Sequence, residues 1–230
     1  MTIVNRIDTY DDYRYEIKFL DESYLNEILK LQDIVVKNLS DATSYYVESK
    51  DFFIKQLAIP NSVIGIFIEG NLVGFNIASF PGTEDENLGI DIGLPKEELS
   101  LVAHFGPAAV YPELRSRGLL SRMVAMHLNV LEESGYRHVC FTVSPNNYPN
   151  IRVTMSQGFI FKKIKIKYNN LLRYIFHLDF AKRFKKLNHI ACISNTDVEL
   201  QQETIDSGCY GYDVIKKENG FDIVFGKDEI

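Results

Sequence analysis

Between Val110 and Leu120 the sequence reads VYPELRSRGLL. Arg115, Ser116, Arg117 and Gly118 lie there between an apolar, strand-like run and an apolar run with helical spacing. The first amides of a helix have no intrahelical partner, and the helix dipole adds positive potential at that end. An anion, a pyrophosphate above all, finds donors ready in such a place. Gly118 lets it approach the backbone, and the two arginines add charge-assisted bonds. The same residues also describe a solvated arginine loop whose glycine serves only the turn. The lysine of a Walker loop and the repeated glycines of a dinucleotide fingerprint are absent.

Proton chemistry has fewer candidates. His104 lies on the strand that leads into the loop, and an unperturbed histidine titrates near neutral pH. Glu84 and Glu86 belong to an acidic, turn-rich segment over residues 81–99, which reads either as a solvated loop or as a wall receiving a cation. His127 reads as helix surface and His138 as a strand end. No metal-ligand spacing joins the histidines, so no metal is expected. Cys140, Cys192 and Cys209 form no CxxC pair, and Cys140 sits in an apolar run. Three unpaired cysteines behind a charged amino terminus point to reduced thiols and a cytoplasmic location.

Periodicity supplies the elements that must position these groups. Residues 13–19 alternate as a strand. Asp21 or Ser23 is placed to cap a helix carrying Leu25, Ile28, Leu29, Val35 and Val36, and a second helix ends before Pro60. Two β-rich runs flank Gly70–Asn71 as a hairpin. The strand through residues 99–112 is broken at Gly106–Pro107, because proline has no amide to give the ladder. A helix then runs to Gly135, followed by a strand at 137–143, a short helix ending at Gly158 and a hairpin turning at Asn169–Asn170. Beyond Phe180 a strand through HIACIS and a hairpin near Glu218–Gly220 are expected, with no internal repeat. The order is α+β around a mixed sheet.

Two stretches in this frame carry a resemblance. VYPELRSRGLLSRMV resembles the acetyl-CoA-binding motif of the GNAT superfamily, the GCN5-related N-acetyltransferases. Val110, Pro112, Arg115 and Gly118 match its pattern, and Arg117 occupies a commonly basic position. Leu120 stands where the family prefers a small residue. Downstream, NNYPNIRVTMSQGFIFKK is similar to the family's second motif through Asn147, Gly158 and Phe159. Asn150 replaces a small residue there, and Thr154 replaces a tyrosine that acts in many members as general acid. The resemblance spans roughly residues 15–180.

The resemblance implies an α/β/α-layered fold with a mixed central sheet, splayed after the strand that ends near Val110. It implies an acyl-CoA, acetyl-CoA in the first instance, as co-substrate. Its pantetheine would pair with the backbone of that strand, and its pyrophosphate would sit on Arg115, Ser116, Arg117, Gly118, Leu119 and Leu120, with Asn147 nearby. A primary amine would attack the thioester directly. The amide of Ala109 or Val110 would polarise the carbonyl, and His104, Glu84, Glu86 or water would take the proton. Residues 1–180 would form the acyltransferase domain, with 181–230 an extension packed on it.

Bulk properties fit this reading. The 230 residues are 46% hydrophobic, enough for one substantial core. The net charge of −6 disfavours a general nucleic-acid binder. No apolar stretch is long enough for a membrane helix. A small-molecule amine is the expected partner, and a homodimer stays open. One rival reading keeps the fold without the catalysis. It uses the basic segment over 162–190, where Lys163, Lys165 and Lys167 share a strand face and Lys182, Arg183, Lys185, Lys186 and Phe184 follow.

Overall fold

In the computed structural model the apolar periods become eleven strands and six helices among the described residues. In chain order they are β1 (Arg6–Tyr10), β2 (Tyr13–Phe19), α1 (Leu25–Lys37), α2 (Lys50–Leu57), β3 (Val63–Ile68), β4 (Asn71–Ser79), α3 (Leu88–Asp91), β5 (Val102–Val110), α4 (Leu119–Glu133), β6 (His138–Val143), α5 (Tyr148–Ser156), β7 (Ile160–Lys167), β8 (Leu171–Asp179), β9 (Leu187–Ser194), α6 (Val198–Asp206), β10 (Tyr210–Lys217) and β11 (Gly220–Asp228). The structure describes residues 6–10, 13–39, 41, 44–168, 170–183 and 186–228. Asn169, Phe184 and Lys185, which figured in the expected turn and basic segment, lie outside the described residues. The chain forms two compact units, one of residues 1–79 and 105–134, the other of 80–104 and 135–230. The expected boundary at residue 180 falls inside the second.

In the first unit β2, β3 and β4 form an antiparallel run. Alternation divides their side chains between two faces. Val63, Phe67, Phe75 and Ile77 pack with Ile28, Leu31 and Val35 of α1 and with Phe53 and Leu57 of α2. Ile64, Ile66 and Val73 pack with Leu119, Met123 and Met126 of α4. The result is helix, sheet, helix. Each fully buried aliphatic side chain contributes about 1.5–3 kcal/mol by leaving water. Gly74 is dictated by space, because a Cβ there would come within 3.0 Å of the Ala109 carbonyl oxygen and 2.9 Å of Ile66.

In the second unit the first residues of β5 pair parallel with β6, Val102 with His138 and His104 with Cys140. That ladder ends at His104, just before the Gly106–Pro107 break, as the sequence predicts for a splayed strand. From Phe105 onward β5 belongs to the first unit. The remaining strands run β6-β8-β7-β10-β11-β9, antiparallel throughout. Phe141, Phe161 and Phe176 stack in this unit's core. Three elements escaped the sequence reading, the strand β1 and the helices α3 and α6. Of α6 only Gln201 and Ile205 are buried, so it has almost no apolar stripe to reveal it.

Candidate active site

The strand, loop and helix start that the sequence singled out are continuous within the first unit. Tyr111 ends β5 by donating its amide to the Val73 carbonyl at 2.9 Å. Pro112 then opens one 3-10 turn through Leu114, closed by the Arg115 amide on the Pro112 carbonyl at 3.2 Å. Ser116 and Gly118 both adopt left-handed backbone, with φ of 64° and 73°. Gly118 is the N-cap of α4, and no side chain caps that end. Its carbonyl accepts the first helical bond, from the Arg122 amide at 3.1 Å.

The side chains here divide by task. Leu119 is buried, and Leu120 packs beside it against the sheet, so the apolar residues anchor the helix start while their amides remain at its tip. Arg122 fixes the first turn by donating to the Tyr15 hydroxyl at 2.6 Å. Arg115 and Ser116 are exposed and Arg117 half-buried. A Cβ at Gly118 would meet nothing within 4 Å. Packing therefore does not demand glycine. The positive φ does, and the open space beside its Cα is what an approaching anion requires. Ala109 is buried and Val110 half-buried at the end of β5, where only their backbone is available for chemistry.

Asn147, His104, Glu84 and Glu86 belong to the second unit. Asn147 caps α5, its Oδ1 accepting from the Asn150 amide at 3.2 Å. Thr154 is buried, and its hydroxyl donates back to the Asn150 carbonyl at 2.6 Å. That proton is committed to the helix, so Thr154 is poorly placed to replace the family's tyrosine.

Glu84 and Glu86 are exposed, but the segment around them is not loose. Buried Asn87 donates to the carbonyls of Gly82, at 2.6 Å, and Leu99, at 3.0 Å. His104 completes this anchoring, its Nε2 accepting from the Leu88 amide at 2.9 Å. The bond occupies the lone pair a base would use and leaves the ring proton on Nδ1. Burial, aided by the charge of Lys167, holds the His104 pKa down to about 4.

Of two other histidines, His127 differs from expectation, while His138 starts β6 as expected of a strand end. His127 is fully buried rather than on the helix surface, with Nδ1 beside the Asn76 amide at 2.9 Å and Nε2 on the Asn61 carbonyl at 3.0 Å. Burial holds its pKa down to about 4. His138 is buried between Glu98, at 2.9 Å, and His177, at 3.0 Å. His127 lies one helical turn after Met123 on the apolar face of α4, and that spacing was the signal for its burial.

Glu48 is a group the sequence reading missed. Gln32, itself buried, grips its main chain in both directions, donating to the Glu48 carbonyl at 3.0 Å and accepting from its amide at 3.1 Å. Burial pushes the Glu48 pKa up to about 7. No local sequence pattern announces this, since it depends on a glutamine sixteen residues earlier.

The strand face of the basic segment forms ion pairs. Lys165 and Lys167 both close on Asp91, which anchors α3 to β7. Lys163 lies 3.9 Å from Asp206. Lys162 stands over the Tyr210 ring at 5.0 Å, and Arg173 is buried. No helix among the described residues is long and apolar enough to cross a membrane.

Compared with known proteins, the sequence matches no family model and no curated protein. Its structure does match solved ones. The ribosomal-protein-S18-alanine N-acetyltransferase of Escherichia coli superposes with a TM-score of 0.54 at 16% identity, covering 72% of this chain and 93% of its own. The GNAT domain of PAT from S. lividans gives 0.56 at 16%, covering 76% and 96%. PaiA N-acetyltransferase from Thermoplasma acidophilum, in complex with coenzyme A, gives 0.52 at 13%, covering 72% and 98%. About a quarter of this chain thus has no counterpart in folds that are otherwise matched nearly whole. By these likenesses the chain has the fold of the GNAT acetyltransferases.

Proposed function

We propose that this chain is an N-acyltransferase that moves an acyl group, acetyl in the first instance, from coenzyme A to a primary amine. The observation that carries the proposal is the start of α4. It has no side-chain cap, a left-handed glycine beside open space, and Arg115 and Arg117 in the preceding residues. Its amides and arginines suit the pyrophosphate of an acyl-CoA. The backbone of Ala109 and Val110 suits its pantetheine and the thioester carbonyl.

The amine nitrogen attacks the carbonyl carbon, the C–S bond breaks, and the thiolate leaves as coenzyme A. An amide at Ala109 or Val110 stabilises the charge that gathers on the carbonyl oxygen. With the Thr154 proton committed, water protonates the thiolate. This is tolerable because a thiol of pKa near 8.5 is a fair leaving group without a dedicated acid. The amine must also lose a proton. His104 and the exposed Glu84 and Glu86 are the acceptors the sequence nominates. Glu48, a half-buried carboxylate in the unit that carries the loop, has its pKa raised by burial to about 7 and is tested beside them.

The test is release of coenzyme A from acetyl-CoA with a panel of amines, followed by the pH profile of kcat/KM. If Glu48 is the base, the acidic limb lies near pH 7, and Glu48→Gln removes it while His104→Gln leaves it. If His104 acts, the limb lies near pH 4 and His104→Gln removes it. Binding of coenzyme A with no transfer to any amine would instead favour the non-catalytic reading. The ion pairs on Lys163, Lys165 and Lys167 reduce the free charge of the strand face that reading would use.

A further inference from the structure

We infer that residues 187–228 are a second copy of the strand–helix–hairpin unit of residues 138–179. The chain uses this copy as a built-in partner for the β7 edge, the place a second chain would otherwise fill.

The backbone repeats at a fixed interval. Helix α6 (Val198–Asp206) lies fifty positions after α5 (Tyr148–Ser156), and β10 (Tyr210–Lys217) fifty after β7 (Ile160–Lys167). The details repeat as well. Asn147 Oδ1 caps the Asn150 amide at 3.2 Å, and Asp197 Oδ1 caps the Leu200 amide at 3.2 Å. The Asn147 amide bonds the Ser144 carbonyl, and the Asp197 amide bonds the Ser194 carbonyl. Thr154 donates back to Asn150, and Thr204 to Leu200. Gly158 and Gly208 end the helices with φ of 90° and 88°. A β-bulge interrupts the first hairpin between Phe161 and Lys163, and another interrupts the second between Gly211 and Asp213. A bulge is a specific feature, and its recurrence at equivalent residues marks a common plan.

The two copies face each other. Their strands run β6-β8-β7 and then β10-β11-β9, a palindrome about the β7–β10 seam. The seam is antiparallel and pairs Phe161 with Gly211, which are equivalent residues. Pairing of equivalents is the mark of a two-fold contact. Side chains are exchanged across it in both directions. Tyr148 of α5 lies against Phe221 of β11 with ring centroids 5.1 Å apart. Tyr174 of β8 donates to buried Gln201 of α6 at 2.6 Å.

The seam also carries an asymmetry that selects the chain's own copy. A Cβ at Gly211 would lie 3.0 Å from Phe161 and 2.8 Å from Ile223. Only one of the two equivalent residues can be large. Two first copies from separate chains would set Phe161 against Phe161, whereas the second copy offers the gap that Phe161 fills.

The experiment uses the full chain and measures thermal unfolding and solution mass for wild type, Gly211→Phe, Phe161→Gly and the exchanged pair Phe161→Gly/Gly211→Phe. The wild type is expected to be monomeric. Gly211→Phe is expected to unfold roughly 5–10 °C lower or to associate, as overpacking of this order does in a protein of this size. The exchanged pair should recover more than half of that loss and return to a monomer, with Ile223 yielding by a rotamer change. If Gly211→Phe does not fold, recovery of a folded monomer by the exchanged pair still supports the inference. Losses in the pair that equal the sum of the single losses would overturn it, as would an exchanged pair that fails to fold. A wild-type dimer abolished by Gly211→Phe would also overturn it.

Discussion

Two helix starts in this chain solve the same problem in opposite ways. At α6, Asp197 turns its own carboxylate onto the Leu200 amide, and the helix end is closed from within. At α4, Gly118 has no side chain to offer, the backbone is left-handed and the space beside it is empty. A closed start needs nothing from outside. An uncapped start flanked by arginines is complementary to an anion, and it is the one that lies on the GNAT pattern. What sets the start of α4 apart is the combination of a missing cap, a left-handed glycine beside open space and the arginines just before it.

The largest expected effect comes from comparing glycines. Gly118→Val and Gly208→Val both force a β-branched residue into left-handed backbone, costing about 1–2 kcal/mol of stability or somewhat more. Only the first should cripple acyl transfer, lowering kcat/KM by roughly 10²-fold, because misplacement of a reacting group costs that much. Equal activity losses for the two folded variants would erase the distinction. Gly118→Asn is the gentler probe, since asparagine tolerates this backbone.

Next in size is acid sensitivity. His104, His127 and His177 are held neutral by burial, with pKa values of about 4, about 4 and about 3. All lie below the unfolded value near 6.5. The unfolded chain therefore takes up protons first as pH falls. Stability is fully present above about pH 6.5 and is lost progressively toward pH 4. Denaturant titrations at pH 7.5 and pH 5, made in a Glu48→Gln background to remove the opposite contribution of that raised carboxyl, should show the drop, and replacing His127 with Gln should flatten it. A stability that is level over this range would contradict the buried, neutral assignment.

The smallest expected effect concerns the paired caps. Asp197→Ala and Asn147→Ala should each cost about 1 kcal/mol of stability, the usual loss for an N-cap. Asp197→Ala should leave the KM for acetyl-CoA unchanged, while Asn147→Ala should raise it a fewfold if α5 borders the acyl-CoA. A matching rise in both would mean that the second copy shares in binding.

Much of the fold was legible because apolar period announces elements that bury a face. Residues 13–19 alternate and become β2, and the spacing of Met123, Val124, Met126, Leu128 and Leu131 becomes the buried side of α4. The strand β1, the helices α3 and α6 and the repeat were not legible. Ser144 and Ser194, Thr154 and Thr204, and Gly158 and Gly208 recur at fixed spacing, but the residues between them keep the backbone plan with different side chains. Phe161 against Gly211 shows why, since the geometry of the seam forbids identity there. At the candidate site, the loop from Arg115 to Leu120 could be read from local spacing. The bond that occupies His104 could not, because it comes from the Leu88 amide sixteen residues away. The burial that raises Glu48 likewise depends on residues distant in sequence.

The central claim is that an acyl-CoA is held at the uncapped start of α4. Calorimetric titration of the full chain with acetyl-CoA tests it most directly, using wild type, Gly118→Val and Arg115→Ala, each confirmed folded. The account predicts one molecule bound per chain, with affinity weakened roughly tenfold by Arg115→Ala, as for one charge-assisted bond. Gly118→Val should weaken it further, and binding to wild type should fall as salt rises. Saturable binding of equal strength in all three proteins, or no binding to the wild type, would contradict it.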